Sequence, residues 1–186
     1  RSPAGVLDCG NSGTTMRLLS GVVAGAGLEA VLDGDDSLRG RPMKRVLEPL
    51  RAMGAQAEGE GKGGEERAPL RFHPARLKGV DHRLAIASAQ VKSCLLLAGL
   101  WAEGETRVWE PGQSRDHSER MLAAFGASID ISRGADGERV IQLEGRPELR
   151  AIPIVVPGDP SSAAFMTVAA LIVPGSEVTV EGLLLN

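Results

Sequence analysis

The chain has 186 residues with 42% hydrophobic content, which is enough to bury the core of one large domain. Its 21 basic and 24 acidic residues give a net charge of −3, which excludes a general attraction to nucleic acid or membranes. The two cysteines lack CxxC spacing, and no histidine has a partner at metal-ligand spacing, so we predict buried free thiols, a cytoplasmic location and no metal site.

A turn of small residues leads into an apolar helix, predicted over 14–24, near the N-terminus. Ser12, Thr14 and Thr15 are suited to cap this helix, and Gly13 lets the backbone approach a ligand. The N–H groups at a helix start attract phosphates and carboxylates. An ordinary capped helix also fits this stretch, so the rest of the chain has to decide between the two interpretations.

The next elements are a strand at 29–33, a turn at 34–37 and an amphipathic helix that begins at Pro42 and ends at Gly54. The Gly- and Glu-rich patch at 59–66 predicts an exposed, mobile hairpin tip between short strands.

A second apolar helix opens at 88–90 and is predicted to continue to residue 102. A strand at 106–109 and an amphipathic helix at 116–125 follow it. The buried face of the amphipathic helix is expected to hold Met121, Leu122 and Phe125. All five methionines stand at core spacing, namely Met16, Met43, Met53, Met121 and Met166.

The last part of the chain begins with a hairpin whose turn is at 134–137 and a strand at 152–156. Asp159 then caps a third apolar helix at 163–173, and a strand at 178–180 closes the sequence.

These elements are copies of one unit. The helix openings at Gly13, Ser88 and Ser161 stand 75 and 73 positions apart. Two complete units fill residues 1–157, and 158–186 begins a third, truncated unit that leads into a second domain. The chain also starts without an initiator Met, so we expect it to be part of a longer protein.

The first helix of each unit is apolar nearly all round, so we expect it to be buried on every side. The strands mix polar and apolar residues and should have one wet face. This pattern predicts an α/β (α+β) fold with parallel helices inside and sheets outside. The three helix N-termini would then share one surface and form an anion site. Arg41 and Arg115, which precede equivalent helices in two repeats, are suited to bind carboxylate or phosphate there.

Five segments resemble the 5-enolpyruvylshikimate-3-phosphate synthase family, in that family's order: 11–18, 41–45, 88–93, 114–121 and 158–164. The resemblance implies an inside-out α/β barrel of repeated βαβαββ units. It also implies a transferase of the shikimate pathway, on the route to aromatic amino acids. Such an enzyme moves the enolpyruvyl group of phosphoenolpyruvate to the 5-hydroxyl of shikimate 3-phosphate and releases phosphate.

The resemblance also implies roles for individual residues, with Gln90 between the two substrates. The residues expected to bind phosphoenolpyruvate, beside which glyphosate competes in this family, are Gly13, Arg41 and Gln90. Those expected to bind shikimate 3-phosphate are Ser88, Ala89, Gln90, Thr14 and Arg115. Those expected to support the site are Asn11, Arg17 and Ser114.

No residue of this chain is expected to act as the catalytic acid or base, because the family carries those groups on segments outside it. The resemblance further implies no cofactor, no nucleic-acid or membrane partner, and a monomer when full length. Two alternatives stay open. One is the related enolpyruvyl transferase that acts on UDP-N-acetylglucosamine and uses a loop cysteine as its acid, although neither Cys9 nor Cys94 stands in a flexible loop. The other is a non-catalytic anion-binding module with the same repeats.

Overall fold

A computed structural model describes residues 1–61 and 64–184 and divides the chain into two compact units, Arg1–Arg150 and a second that starts at Ala151. The helices are α1 (Gly13–Gly25), α2 (Asp36–Arg39), α3 (Lys44–Ala52), α4 (Ala89–Gly99), α5 (His117–Ala124) and α6 (Pro160–Ile172). The strands are β1 (Leu7–Asp8), β2 (Ala30–Asp33), β3 (Gln56–Glu60), β4 (Arg67–His73), β5 (Asp81–Arg83), β6 (Glu105–Glu110), β7 (Ile129–Arg133) and β8 (Arg139–Glu144).

The first unit contains two sheets of identical topology. Their strand orders are β1-β2-β4-β3 and β5-β6-β8-β7. In each sheet the first pair is parallel and the other two pairs are antiparallel. The helix α1 connects the parallel strands β1 and β2, and α4 connects β5 and β6 in the same way. The chain therefore contains two βαβαββ units, and the repeat predicted from the sequence is confirmed. The predicted boundary after residue 157 stays a prediction.

The helices α1 and α4 lie inside the first unit and run parallel. Thr14 meets Gln90 near their N-termini, and a Cβ atom at Gly25 would lie 2.9 Å from the Ala98 carbonyl oxygen near their C-termini. Alternate residues of β6 are buried, so the sheet has one wet face. Buried helices with sheets outside are therefore confirmed for these two repeats.

Three details of the first unit differ from the sequence prediction. The turn predicted at 34–37 leads into the short helix α2, which Asp35 caps by accepting a hydrogen bond from the Leu38 N–H. The helix predicted from Pro42 begins only at Lys44, and the Met43 N–H before it bonds to the Glu66 carbonyl of the hairpin. Met121 is 43% exposed, since α5 turns Glu119 and Leu122 inward.

The hairpin predicted around residues 59–66 is formed by β3 and β4. The centre of its predicted tip, Lys62 and Gly63, lies outside the described residues.

The second unit differs more from the prediction. The helix α6 begins after the predicted Asp159 cap, yet none of its residues is buried, and Met166 is 60% exposed. The strands predicted at 152–156 and 178–180 are absent from the described residues of this unit, where a single bridge joins Gly158 to Leu183. A strand needs a neighbouring strand to pair with, and an apolar helix needs other apolar side chains packed against it. The described part of this unit supplies neither.

Candidate anion-binding site

The turn before α1 builds the first part of the site. The Ser12 hydroxyl caps α1 by accepting a hydrogen bond from the Thr15 N–H at 3.1 Å. This leaves the Thr14 hydroxyl to accept a bond from the Gln90 side chain at 2.7 Å. Ser12 is therefore the cap among the three residues proposed for that role, and Thr14 contacts Gln90 instead.

Gly13 is buried between two guanidinium groups. A Cβ atom at this position would lie 3.0 Å from Arg17 Nη1 and 3.1 Å from Arg41 Nη1. The missing side chain thus allows two cations to converge at the start of a helix, where the helix dipole is also positive. We call Gly13, Arg17 and Arg41 the first half-site.

Arg41 is oriented by a chain of polar contacts. Its Nη2 donates to Asn11 Oδ1 at 2.8 Å, and Asn11 Nδ2 donates to Asp35 Oδ2 at 2.7 Å. The Asn11 bond is the largest cause that holds the pKa of Asp35 below its usual value. Asn11 therefore links Arg41 to Asp35, and its supporting role in the site stays a prediction.

Arg17 is a buried cation, only 6% exposed. Its Nη1 donates to Gln90 Oε1 at 2.7 Å, while its Nε has no hydrogen-bond partner among the described residues. Burial lowers the pKa of Arg17, and the positive charges of Arg45 and Arg41 lower it further. No described carboxylate forms an ion pair with Arg17, so this position favours an anionic ligand.

The start of α4 builds the second part of the site. The Ser88 hydroxyl caps this helix by accepting from the Val91 N–H at 3.5 Å. A cleft of about 180 Å³ lies beside this helix start, and its walls include Thr14, Ala89, Gln90, Ser93, Arg115 and His117. We call Ser88, Ala89 and Arg115 the second half-site.

Gln90 joins the two half-sites. Its amide accepts from Arg17 and donates to Thr14, both at 2.7 Å. The N-termini of α1 and α4 are thus linked through one amide, with Arg17 and Arg41 beside the first and Arg115 in the cleft at the second. This arrangement suits two neighbouring anionic groups. The third helix start, at Ser161 and Ser162, lies in the second unit, and its place on the same surface stays a prediction.

A buried charge cluster beside the second half-site was not predicted from the sequence. Lys92 Nζ lies 3.0 Å from Glu110 and 2.8 Å from Glu119, and Arg139 lies 3.6 and 3.4 Å from the same two carboxylates. Lys92 also donates to the Ser114 hydroxyl at 2.8 Å, and the supporting role expected of Ser114 stays a prediction. The sequence signal that could have revealed the cluster is Lys92 itself, which is the one charged residue in a helix expected to be buried on every side. A buried charge requires a partner of opposite charge.

Neither cysteine belongs to the site. Both thiols are buried and free, as predicted, and burial raises the pKa of Cys94 to about 12. Within the described residues, no three His, Cys, Asp or Glu side chains lie together so as to hold a metal ion. None of the helices in the described ranges has the length and apolarity to span a bilayer.

Comparison with known proteins identifies the family. The family model described as EPSP synthase (3-phosphoshikimate 1-carboxyvinyltransferase) matches residues 1–186. The chain belongs to the EPSP synthase family. Its fold agrees, because the solved structure of EPSP synthase from Acinetobacter baumannii matches with a TM-score of 0.82 and 48% identity. That match covers 100% of this chain and 40% of the solved one.

Curated members of the EPSP synthase family are closely similar in sequence. The 3-phosphoshikimate 1-carboxyvinyltransferase of Geobacter metallireducens is 56% identical over 184 residues, and that of Caulobacter vibrioides is 54% identical over 187. Each match covers 99% of this chain. The chain spans 41% of the length of the first of these relatives and 42% of the second.

Proposed function

We propose that the protein to which this chain belongs transfers the enolpyruvyl group of phosphoenolpyruvate to the 5-hydroxyl of shikimate 3-phosphate and releases phosphate. The observation that carries this proposal is the bridge through Gln90 between two cationic helix starts. Both substrates are phosphorylated, and the reaction requires them side by side. Membership of the EPSP synthase family supports the same assignment.

The first half-site is proposed to bind phosphoenolpyruvate. The guanidinium of Arg41 is suited to a bidentate contact with carboxylate or phosphate, and Gly13 leaves room for that contact. Arg17 adds a second positive charge that no described carboxylate neutralises. The buried position of Arg17 strengthens its attraction to an anion, because water screens the charge poorly there.

The second half-site is proposed to bind shikimate 3-phosphate. The Ser88 hydroxyl and the Ala89 N–H stand at the start of α4, where the backbone favours a phosphate. Thr14 and Arg115 line the same cleft. Gln90 would then contact both substrates and fix their separation.

We propose that the acid and base of the reaction lie outside this sequence. The transfer needs a base at the acceptor hydroxyl and an acid at the enolpyruvyl methylene. The arginines of the two half-sites are not suited to either role, because a guanidinium stays protonated in proteins. The 186-residue chain by itself is therefore expected to bind shikimate 3-phosphate weakly without releasing phosphate.

We also propose that the full-length protein acts as a monomer in the cytoplasm, where reducing conditions would keep Cys9 and Cys94 as thiols. Light scattering during size-exclusion chromatography tests the oligomeric state directly.

Initial-rate kinetics of the full-length protein test the two half-sites separately. Arg41→Gln should raise KM for phosphoenolpyruvate, and Ser88→Ala should raise KM for shikimate 3-phosphate, each by about tenfold. The exposed Arg76 provides a matched control, and Arg76→Gln should leave both constants unchanged. Equal effects of Arg41→Gln and Arg76→Gln would contradict the assignment of the first half-site.

A further inference from the structure

The buried ammonium of Lys92 is positioned to control the loop that carries Arg115. Lys92 is fully buried in α4, two residues after Gln90. Its Nζ donates to Glu110 Oε2 at 3.0 Å, to Ser114 Oγ at 2.8 Å and to the Arg115 carbonyl oxygen at 3.1 Å. These bonds use all three ammonium protons, and two of them go to the loop.

The loop is held from a second side by the same cluster. The Ser114 hydroxyl donates to Glu110 Oε1, so Glu110 at the end of β6 contacts both Lys92 and the loop. Glu119 in α5 lies 2.8 Å from the Lys92 ammonium. The loop between β6 and α5 is therefore held at Ser114 and Arg115, and the cluster also includes Glu110 and Glu119 from the two elements that flank it.

A buried ion cluster of this kind is costly, because each charge loses its hydration. Arg139 balances the second carboxylate, so the cluster is neutral overall. Apolar side chains of similar volume would stabilise the core equally well. What they could not do is donate hydrogen bonds to Ser114 Oγ and to the Arg115 carbonyl.

We propose that Lys92 is a positioning residue for shikimate 3-phosphate binding, which rests on the function proposed above. It holds the Ser114 hydroxyl and the Arg115 carbonyl, and the Arg115 side chain is thereby held at the cleft beside Ala89 and Gln90. One helix then carries both the residue between the substrates and the residue that holds the loop over them.

The test uses the full-length protein and separates loop positioning from charge balance. Lys92→Met removes the ammonium but leaves two carboxylates facing Arg139 alone. The double variant Lys92→Met with Glu119→Gln restores a neutral cluster without restoring the bonds to the loop. The exposed Lys78 gives the matched control, Lys78→Met.

Two readouts are measured: amide hydrogen exchange of residues 112–116 and the KM for each substrate. In the double variant we expect faster exchange in this loop and a KM for shikimate 3-phosphate that is about tenfold higher. The KM for phosphoenolpyruvate should stay within about twofold of the wild-type value. Lys78→Met should change neither readout. The double variant decides the question even if Lys92→Met alone fails to fold.

Exchange and KM values equal to those of the wild type in the double variant would overturn the proposal, because charge balance alone would then explain Lys92. Faster exchange with an unchanged KM would overturn its link to the substrate. A wild-type protein that neither binds shikimate 3-phosphate nor releases phosphate would overturn the proposed function, and with it the claim that Lys92 affects substrate binding. The exchange data would still decide independently whether Lys92 holds the loop at 112–116.

Discussion

Gly13 shows how one missing side chain can determine a binding site. Its Cα lies at the start of α1, and the guanidinium groups of Arg17 and Arg41 approach to within van der Waals distance of the position where a Cβ would stand. The two like charges repel each other, so an anion placed between them is expected to stabilise both by electrostatic attraction.

Gly13→Ala is expected to weaken binding of phosphoenolpyruvate without unfolding the protein. The added methyl group would lie 3.0 and 3.1 Å from the flexible ends of two arginines, which can shift by a few tenths of an ångström. We expect KM for phosphoenolpyruvate to rise about tenfold with little change in the melting temperature. Gly5→Ala, in open space, is the control, and an unchanged KM in Gly13→Ala would contradict this account of the glycine.

The ion pair between Arg51 and Glu66 should make stability depend on pH. Hydrogen bonds from Arg51 hold the pKa of Glu66 below its ordinary value of 4.5. The folded state therefore binds this proton less readily than the unfolded state. The contribution of the pair is complete above about pH 4.5 and is lost as the pH falls through the lowered pKa.

Urea unfolding of wild type and Glu66→Gln at several pH values measures this contribution. The difference in unfolding free energy between the two proteins should shrink as the pH falls below 4.5. A difference that stays constant across this range would show that the carboxylate does not titrate with a lowered pKa.

At the scale of elements, the contact between α1 and α4 sets the geometry of the site. Gly21 lies directly against the Cys94 carbonyl, and Gly25 lies against Ala98 and Trp101. These small residues let the two helix axes approach closely. The close approach brings Thr14 within hydrogen-bond reach of Gln90 and so joins the half-sites.

Gly21→Ala should disturb this contact. A Cβ atom there would overlap the Cys94 carbonyl, which is backbone and cannot move aside as a side-chain end can. Overpacking of this kind costs about 1–3 kcal/mol, and the higher helix propensity of alanine returns at most about 1 kcal/mol. Denaturant unfolding should therefore show a net loss of stability relative to Gly5→Ala, and a gain would contradict the close packing of α1 on α4.

The sequence predicted these elements well where the signal is local. Apolar helices that start after Ser12 and Ser88, and glycines such as Gly54 and Gly126 at helix ends, mark boundaries through capping chemistry. The contact from Met43 to the Glu66 carbonyl could not be predicted, because it joins a helix start to a distant hairpin. The Lys92 cluster was missed for the same reason, since its members come from α4, β6, α5 and β8.

At the scale of the whole molecule, the two repeats explain why the site has two halves. Each βαβαββ unit supplies one buried helix with a capped N-terminus and one arginine shortly before a later helix, Arg41 before α3 in the first unit and Arg115 before α5 in the second. The repeat predicted the fold correctly. Within this chain the apolar residues of α6 are exposed, because burial depends on neighbours that a local pattern does not specify.

The central claim is that the paired half-sites serve enolpyruvyl transfer to shikimate 3-phosphate. Phosphate release from phosphoenolpyruvate by the full-length protein, with shikimate 3-phosphate or UDP-N-acetylglucosamine as acceptor, tests it most directly. We expect release that depends on shikimate 3-phosphate, is absent with the nucleotide sugar, and is strongly reduced in Arg41→Gln. Release with UDP-N-acetylglucosamine alone, or no release with either acceptor, would contradict the claim.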